Sequence, residues 1–491
     1  MMYERTRLHP ASIVVTVLKH LREFFFPLII FVVVGFRDGG IFSFIFYGAL
    51  LVLVTALIGY SVAVWYRFYY WIEEEELRIE SGVFVKKRRF IPQERIQTID
   101  TSEGIIQRIF GLVKVQVETA GGGTEAEAVL SAVTKDEAQR LRNALLYKEA
   151  SVLSEVEQDT MIDERIISKE KDEVRPTYTI SWKYLFVVGT TSGGIGVVLS
   201  AVVAFASQFD QFIPYEDVVD RFGLVLQTSV YFIASIVFLV LLLSWLISIA
   251  MTMFKYGNFT VVKQGDELLI SRGIIEKRQL TIPLARIQAI RISQNLLRQP
   301  FGLATVYVEI AGGAGGKEAD FATILFPLVK MKEIKRLMKE FTPAYSMQQL
   351  THVLPKRSLI RYMLRLVVPA ILVSSTVTYL FQPYGSFSFI LVGIAIALAY
   401  GQFKAGGWDI TGSQLQLSYR FVNKNIVMIH KKRVQSFEWK ESRFQRRQAL
   451  QTINAAIKSS ISSKNFRVAD VERQDGHEIF NWYTHQKSKI N

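Results

Sequence analysis

The clearest chemical signal in this chain is positive charge set ahead of a proline. Lys86, Lys87, Arg88 and Arg89 run without interruption, and Pro92 follows three residues later. Lys277 and Arg278 stand ahead of Pro283 in the same way, and Lys431, Lys432 and Arg433 form a further cluster. Such clusters suit an anionic surface, because each Lys or Arg beside an anionic leaflet contributes about 1 kcal/mol. A solvated positive face explains the same residues without any ligand. Groups for bond-making chemistry are sparse. His9, His20, His352, His430, His477 and His485 show no metal-ligand spacing with another donor, and neither HExxH nor GxSxG occurs. The stretch AGGAGGKE at 311–318 invites a phosphate-loop reading, but Ala311 and Glu318 stand where that loop requires Gly and Ser or Thr. A hairpin turn accounts for it better. The acidic run at 73–76 reads as a solvated edge, with a cation site as the alternative. With no cysteine, neither a disulfide nor a thiolate metal site is possible. No enzyme, metal or cofactor is therefore expected.

The basic run belongs to a longer phrase that recurs. IPQERIQ at 91–97 returns as IPLARIQ at 282–288, and Pro92 and Pro283 stand 191 residues apart, as do Gly111 and Gly302 in the shared FGL. The same ruler lays Leu77 on Leu268, Gly82 on Gly273 and Glu118 on Glu309 without a gap. An offset of 338 gives a weaker third copy, with Leu415 on Leu77, Arg433 on Arg95 and Gln445 on Gln107. There His430, Arg420 and Ala449 replace Pro92, Gly82 and Gly111, so its turns are expected to be built differently and its ligand capacity to be poorer.

One copy alternates apolar and polar residues on both sides of Ser81-Gly82, the pattern of two strands joined by a turn, and VKVQVET alternates again. Each of the first two copies closes with an amphipathic helix, at 134–147 or 330–341, where Ala138, Leu141 and Leu145, or Ile334, Leu337 and Met338, recur at helical spacing. Proline cannot donate to a strand ladder, so Pro92 and Pro283 are expected to end a strand at a corner. Ile91 and Ile96 then anchor the corner in the core, while Arg95 and Gln97 face solvent or bind the loop. On this reading Pro92, Arg95, Gln97 and Gly111, with Pro283, Arg286, Gln288 and Gly302, are a structural motif and not a ligand site.

What must position these modules is a membrane. Apolar blocks occupy 24–36, 41–66, 182–206, 223–254, 362–381 and 387–403, and most suit a core that takes roughly 20 helical residues to cross. The first is short, so its helix is expected to begin near Leu18, with Lys19 and Arg22 reaching the head groups. A cleaved signal peptide is disfavoured, because no small-residue cleavage site follows and a second apolar block arrives at once. The six spans form three hairpins. Arg67, Lys183, Lys255, Lys356, Arg361, Arg365 and Lys404 flank the long polar stretches, whereas the short turns hold only Arg37 and Arg221. That bias sets both termini on the cytoplasmic side of the cell membrane. The order is then an N-terminal segment and first hairpin (1–66), module 1 (67–148), an acidic linker (149–181), hairpin 2 (182–257), module 2 (258–342), a linker (343–361), hairpin 3 (362–403) and a degenerate module 3 (404–491). The net charge of +14 points to an anionic membrane and not to nucleic acid. Gly189 and Gly193, with Gly196 on a second small-residue ridge, are candidates for close helix packing. The mid-block positions carry no ionisable residue, which argues against an ion-coupled carrier.

The phrase IPxxRIQ, then QR or RQ before FGL, then an alternating strand and AGG, on modules that follow helical hairpins, resembles the bacterial PH-domain (bPH2) membrane proteins of the YdbS/YdbT type. The likeness covers nearly the whole chain. It implies three small PH-like split β-barrels, each capped by a C-terminal helix, joined to the membrane α-helical hairpins. In such barrels a basic strand pair cups an anionic head group, which makes Lys86, Lys87, Arg88, Arg89, Lys277, Arg278, Lys431, Lys432 and Arg433 the lipid-binding candidates. The resemblance further implies a membrane-surface scaffold or sensor that engages anionic lipid or a partner membrane protein of the same family, with a role in envelope stress. A lipid-handling transporter is the alternative.

Overall fold

The computed structural model describes residues 5–23, 41–119, 127–146, 175–208, 230–310, 322–458 and 463–484. The apolar block 24–36, most of the acidic linker, the turn of hairpin 2 and both Gly-rich runs lie outside the described residues. In chain order, β1 (Thr6–Arg7), α1 (Ser12–Glu23) and α2 (Ile41–Tyr66) lead into module 1. It comprises β2 (Tyr69–Glu73), β3 (Glu76–Ser81), β4 (Lys87–Pro92), β5 (Ile96–Glu103), β6 (Leu112–Thr119), β7 (Ala128–Thr134) and α3 (Lys135–Leu146). Next come β8 (Thr177–Thr179), α4 (Trp182–Thr191), α5 (Gly194–Gln208) and α6 (Val230–Tyr256). Module 2 repeats the plan as β9 (Thr260–Gln264), β10 (Glu267–Arg272), β11 (Lys277–Pro283), β12 (Ile287–Gln294), β13 (Leu303–Ile310), β14 (Ala322–Lys330) and α7 (Met331–Phe341). After β15 (His352–Val353), α8 (Ser358–Leu380) and α9 (Ile390–Ala405), module 3 has β16 (Gly407–Thr411), β17 (Gln414–Arg420), β18 (Lys424–His430), β19 (Val434–Lys440), β20 (Leu450–Lys458), β21 (Ser463–Glu472) and α10 (Arg473–Thr484).

Two compact units emerge. One joins module 1 to residues 275–283 of module 2, and the other holds hairpins 2 and 3 with the rest of module 2 and module 3. In the first unit, β1-β2-β3-β4 form one antiparallel sheet and β5, β6 and β7 another. Leu77, Ile79 and Ile91 of the first sheet meet Ile99, Val115 and Leu130 of the second in one core, closed by Ala138, Leu141 and Leu145 of α3. In the second unit the corresponding core around Trp408, Leu415, Val427, Ile453, Phe466 and Ile479 has the same plan.

The modules do not complete their sheets alone. Strand β11, part of module 2 by the repeat, pairs with β5 of module 1, Lys277 opposite Glu103 and Thr281 opposite Ile99. Strand β12 pairs with β18 of module 3, Lys424 opposite Gln294 and Met428 opposite Ile290. Brought to one numbering by the two repeat offsets, both junctions have the same register. The expectation of three small split barrels did not foresee this sharing: a β5-type strand presents an open edge, and the β4-type strand of the next module supplies its ladder.

The described residues follow the expected spans only in part. Among the described residues four helical stretches are long and apolar enough to cross a bilayer, at Gly48–Tyr66, Ala234–Tyr256, Ser358–Leu380 and Tyr384–Ala405. The block 182–206 is not one helix, because the chain leaves helical geometry at Ser192 (φ −76°, ψ 149°) and α5 restarts at Gly194. Ser192-Gly193-Gly194 weakens the helix locally, and module 2 contacts the interrupted end. Arg298 donates from Nε to Thr191 Oγ1 (2.8 Å) and from Nη2 to the Val188 carbonyl (3.4 Å), while Asn295 Nδ2 donates to the Thr191 carbonyl (2.6 Å). The Val188 and Thr191 carbonyls are among those that the end of a helix leaves unpaired. With Val188 packed on Leu303 and Leu328, α4 is docked against the module.

Module 3 is fastened at the opposite end of a helix. Asp470 is wholly buried and left-handed (φ 58°), and its carboxylate accepts from Arg361 Nε (2.7 Å), Arg365 Nη2 (2.8 Å) and Gln445 Nε2 (2.8 Å). Ser358 Oγ donates to its carbonyl at 2.6 Å. Thus the first two turns of α8 are tied to β21. Asn also tolerates the left-handed region, so Asp470→Asn removes the charge alone. It is expected to cost roughly 3 kcal/mol, read as a lower thermal midpoint in detergent and faster proteolysis of module 3. An unchanged midpoint would show that the ion pairs are ornamental.

A second buried carboxylate marks module 1. Glu309 is neutralised by Arg291 Nε and Lys464 Nζ, both at 2.8 Å, but the repeat puts Asp100 where Arg291 stands, beside Glu118. Burial, with the Asp100 charge adding to it and a Thr98 hydrogen bond opposing it, pushes Glu118 up to about 8. The folded protein then keeps a proton that the unfolded chain loses above the ordinary carboxylate value of 4.5. The stability it contributes is complete below that value and lost as pH rises through about 8. Thermal melts from pH 4.5 to 8 should fall more steeply for the parent than for Glu118→Gln; parallel curves would contradict the shift.

Candidate membrane-surface site

In each module the turn between the second and third strands is hydrogen-bonded to the end of the span before it. In module 1, Arg67 Nη1, just after α2, donates to the Val83 carbonyl at 3.2 Å. In module 2, the Gly273 and Ile274 N–H groups donate to the carbonyls of Gly257 (2.7 Å) and Phe254 (3.0 Å), at the end of α6. In module 3, Gln402 Nε2 of α9 donates to the Phe421 carbonyl at 2.8 Å. The turn in module 1 needs glycine, since Gly82 has φ 109° and a Cβ there would meet the Val85 carbonyl oxygen at 2.0 Å.

Tied to a span end, these turns carry apolar side chains that are exposed among the described residues. Phe84 is 91% exposed and Phe421 78%, and Val85, Ile275 and Val422 are exposed too. A cation follows directly in module 1, after Glu276 in module 2 and after Asn423 in module 3. Lys86, Lys277 and Lys424 occupy one repeat position, which is Lys424 opposite Gln294 in module 3. Burial lowers the Lys424 ammonium from its ordinary value, with Arg420 and Lys404 adding to the effect. In module 1, Lys86 Nζ (3.0 Å) and Arg88 Nε (2.8 Å) both reach Glu80, whose carboxyl is held below its usual range, first by the Lys86 hydrogen bond. Arg89 donates to the Glu127 carbonyl, and Lys87 is exposed on the same strand.

The basic candidates fall into two groups. Lys86, Lys87, Arg88 and Arg89, with Lys277 and Arg278, lead into or lie on β4 and β11 as expected. Lys431, Lys432 and Arg433 do not share that strand position. They form the 3-10 corner after β18, where Lys431 donates to the Trp482 carbonyl of α10 and Arg433 to the Ala285 carbonyl. Lys424 is the residue the sequence reading missed, although the offset of 338 lays it on Lys86. The exposed Phe84 and Phe421 were missed as well, because an isolated aromatic beside a Gly or Arg turn carries no periodic signal.

The repeat motif is a corner. Pro92 and Pro283 each end a strand, the 3-10 turns Gln93–Arg95 and Leu284–Arg286 follow, and β5 and β12 begin at Ile96 and Ile287. Arg95 is exposed, while the buried Gln288 donates to the Arg286 carbonyl at 3.0 Å, tying its own loop. The Gln97 side chain lies outside the described residues. Module 3 keeps this corner despite its substitutions: His430 has φ −75° and ψ 143° against −62° and 139° for Pro92. Ala449 (φ 51°) likewise holds the left-handed conformation of Gly111 (67°) and Gly302 (61°). Only at Arg420 is the turn rebuilt, with β17 running on to that residue. In hairpin 2, Gly189 packs against Ile249, where a Cβ would come within 3.1 Å of the backbone. Gly193 and Gly196 meet nothing within 4 Å, and Gly194 approaches Ser248 instead, since the break at Ser192 changes the helical phase.

Comparison with known proteins agrees with this architecture. The bacterial PH domain (bPH_2) family model matches residues 23–149, 208–343 and 363–487. The chain is 39% identical to the UPF0699 transmembrane protein YdbT of Bacillus subtilis (strain 168) over 500 residues, which is 99% of this chain and 100% of the relative. It is also 34% identical to the UPF0699 transmembrane protein YdbS of the same organism over 76 residues, 16% of this chain and 45% of that protein. No solved structure matches it. Matched in three stretches and paralleled end to end by a transmembrane relative, the chain belongs to the bacterial PH domain family.

Proposed function

We propose that the protein is a multi-pass membrane scaffold or sensor that holds three PH-like modules, each read as a split barrel capped by its C-terminal helix, against the cytoplasmic leaflet. The positive-inside bias supports that side. The observation that carries the reading is the set of apolar turns bonded to span ends and followed by cations. A tip such as Phe84-Val85 at the end of α2 lies where acyl chains give way to head groups, and Lys86, Lys87 and Arg88 beside it meet phosphate. The ligand is anionic membrane lipid; a partner membrane protein of the same family is the second candidate, and resistance to membrane stress is the physiological setting. The chain has no cysteine, so Phe84→Cys takes a single polarity-sensitive label. In vesicles containing phosphatidylglycerol the label is expected to report an apolar site, and Lys87→Glu with Arg88→Glu should return it toward water. A label equally hydrated in anionic and neutral vesicles would refute lipid engagement.

A lipid-handling role is the second reading, favoured by the helix break at Ser192 and the polar contacts of Arg298 and Asn295 around it. Discontinuous helices line polar routes in many carriers. If the protein moves lipid, reconstituted vesicles will scramble a fluorescent phospholipid, and Arg298→Met will slow that movement. Scrambling no faster than in protein-free vesicles would leave the scaffold reading alone.

A further inference from the structure

The same pairing is made twice within the chain and left unmade at its two ends. Strand β4 ends its sheet beyond β3, and β19 ends its sheet beyond β20, with no further strand beside either among the described residues. One is a β4-type edge and the other a β5-type edge, the two halves that join at β11 with β5 and at β18 with β12. Exposure follows occupancy. Thr281 and Met428, which share the repeat position of Phe90, are 2% and 0% exposed, whereas Phe90 is 55% exposed.

We propose that β19 of one copy pairs with β4 of a second copy, in the register used twice already. That register sets Phe90 opposite Phe437, Arg89 opposite Glu438 and Arg88 opposite Trp439. An aromatic pair, a pair of opposite charges and a cation on an indole are each favourable across strands. The partner is a second copy because both complementary halves belong to this chain. Charged edge strands usually serve to prevent pairing. Here they do not, since β11 carries Lys277 and Arg278 and is paired regardless, Lys277 facing Glu103. The contact is head-to-tail, so it closes into a ring or continues as a row of copies. This inference shares Arg88 and Arg89 of β4 with the lipid reading, but its readout is the cross-linking of strand edges and not the burial of the turn tips, so the two can fail separately.

The test uses the full-length protein in vesicles, with two differently tagged forms bearing Phe90→Cys and Phe437→Cys. Opposed residues have Cβ atoms close enough for a short thiol cross-linker, so mixed dimers should form. They should be scarce when Phe90→Cys meets Lys440→Cys, and scarce with either form alone. Glu438→Arg is expected to reduce the yield roughly fivefold, the equivalent of about 1 kcal/mol for a cross-strand ion pair. Mixing it with Arg89→Glu should restore the yield. The proposal is overturned if cross-links do not exceed those of the misregistered pair, if a chain bearing both cysteines links within itself on dilution, or if Phe90→Cys is captured only by a different protein. Thermal melts of each form confirm that a lost cross-link is not lost folding.

Discussion

Backbone N–H and C=O groups at the margin of a sheet must find partners, and here the β5-type margin finds them in the next module. The choice has structural consequences throughout. Because β11 lies against β5 and β18 against β12, each junction is a continuous ladder and not a contact between finished domains. A shared ladder fixes the relative orientation of the strands that it joins, with the twist of a single sheet.

The second constraint is the tie between sheet and span. Polar side chains and backbone groups at the span ends hold the turns that carry Phe84, Ile275 and Phe421, while Arg298 and Asp470 lock α4 and α8 to their modules. Gln107, Arg298 and Gln445 share one repeat position, and two of the three serve in these locks. One repeat position thus lies at the fastening point between sheet and helix in modules 2 and 3, with different chemistry in each. Arg298 meets carbonyls, and Gln445 assists a carboxylate that meets arginines.

Much of the fold was legible in the residues. The alternation around Ser81-Gly82 encodes β3 and β4, the proline encodes the corner at Pro92, and the spacing of Ala138, Leu141 and Leu145 encodes the face that α3 buries. The exchange of strands was not legible, because KRQLTIP reads as a strand whichever partner it takes, and homologous modules offer nearly equivalent edges. The break in 182–206 is masked by hydropathy that stays high across it, although Ser192-Gly193-Gly194 weakens a helix by itself; Arg298, more than a hundred residues later, contacts the interrupted end. At the candidate site, a run of charge drew attention to Lys431, Lys432 and Arg433, although the offset pointed to Lys424. Runs are conspicuous, but repeat position determines which strand a cation occupies.

The shared ladder also sets a timetable on the ribosome. Thr101 on β5 and Gln279 on β11, joined by a hydrogen bond, are 178 residues apart, with hairpin 2 between them. At typical elongation rates that interval lasts roughly ten to thirty-five seconds. Through that time the nascent module has its core-forming strands but not the strand that seals its margin, while the translocon is still inserting helices. A sheet margin completed only by a later strand is thus open to other edges for that interval in each nascent chain.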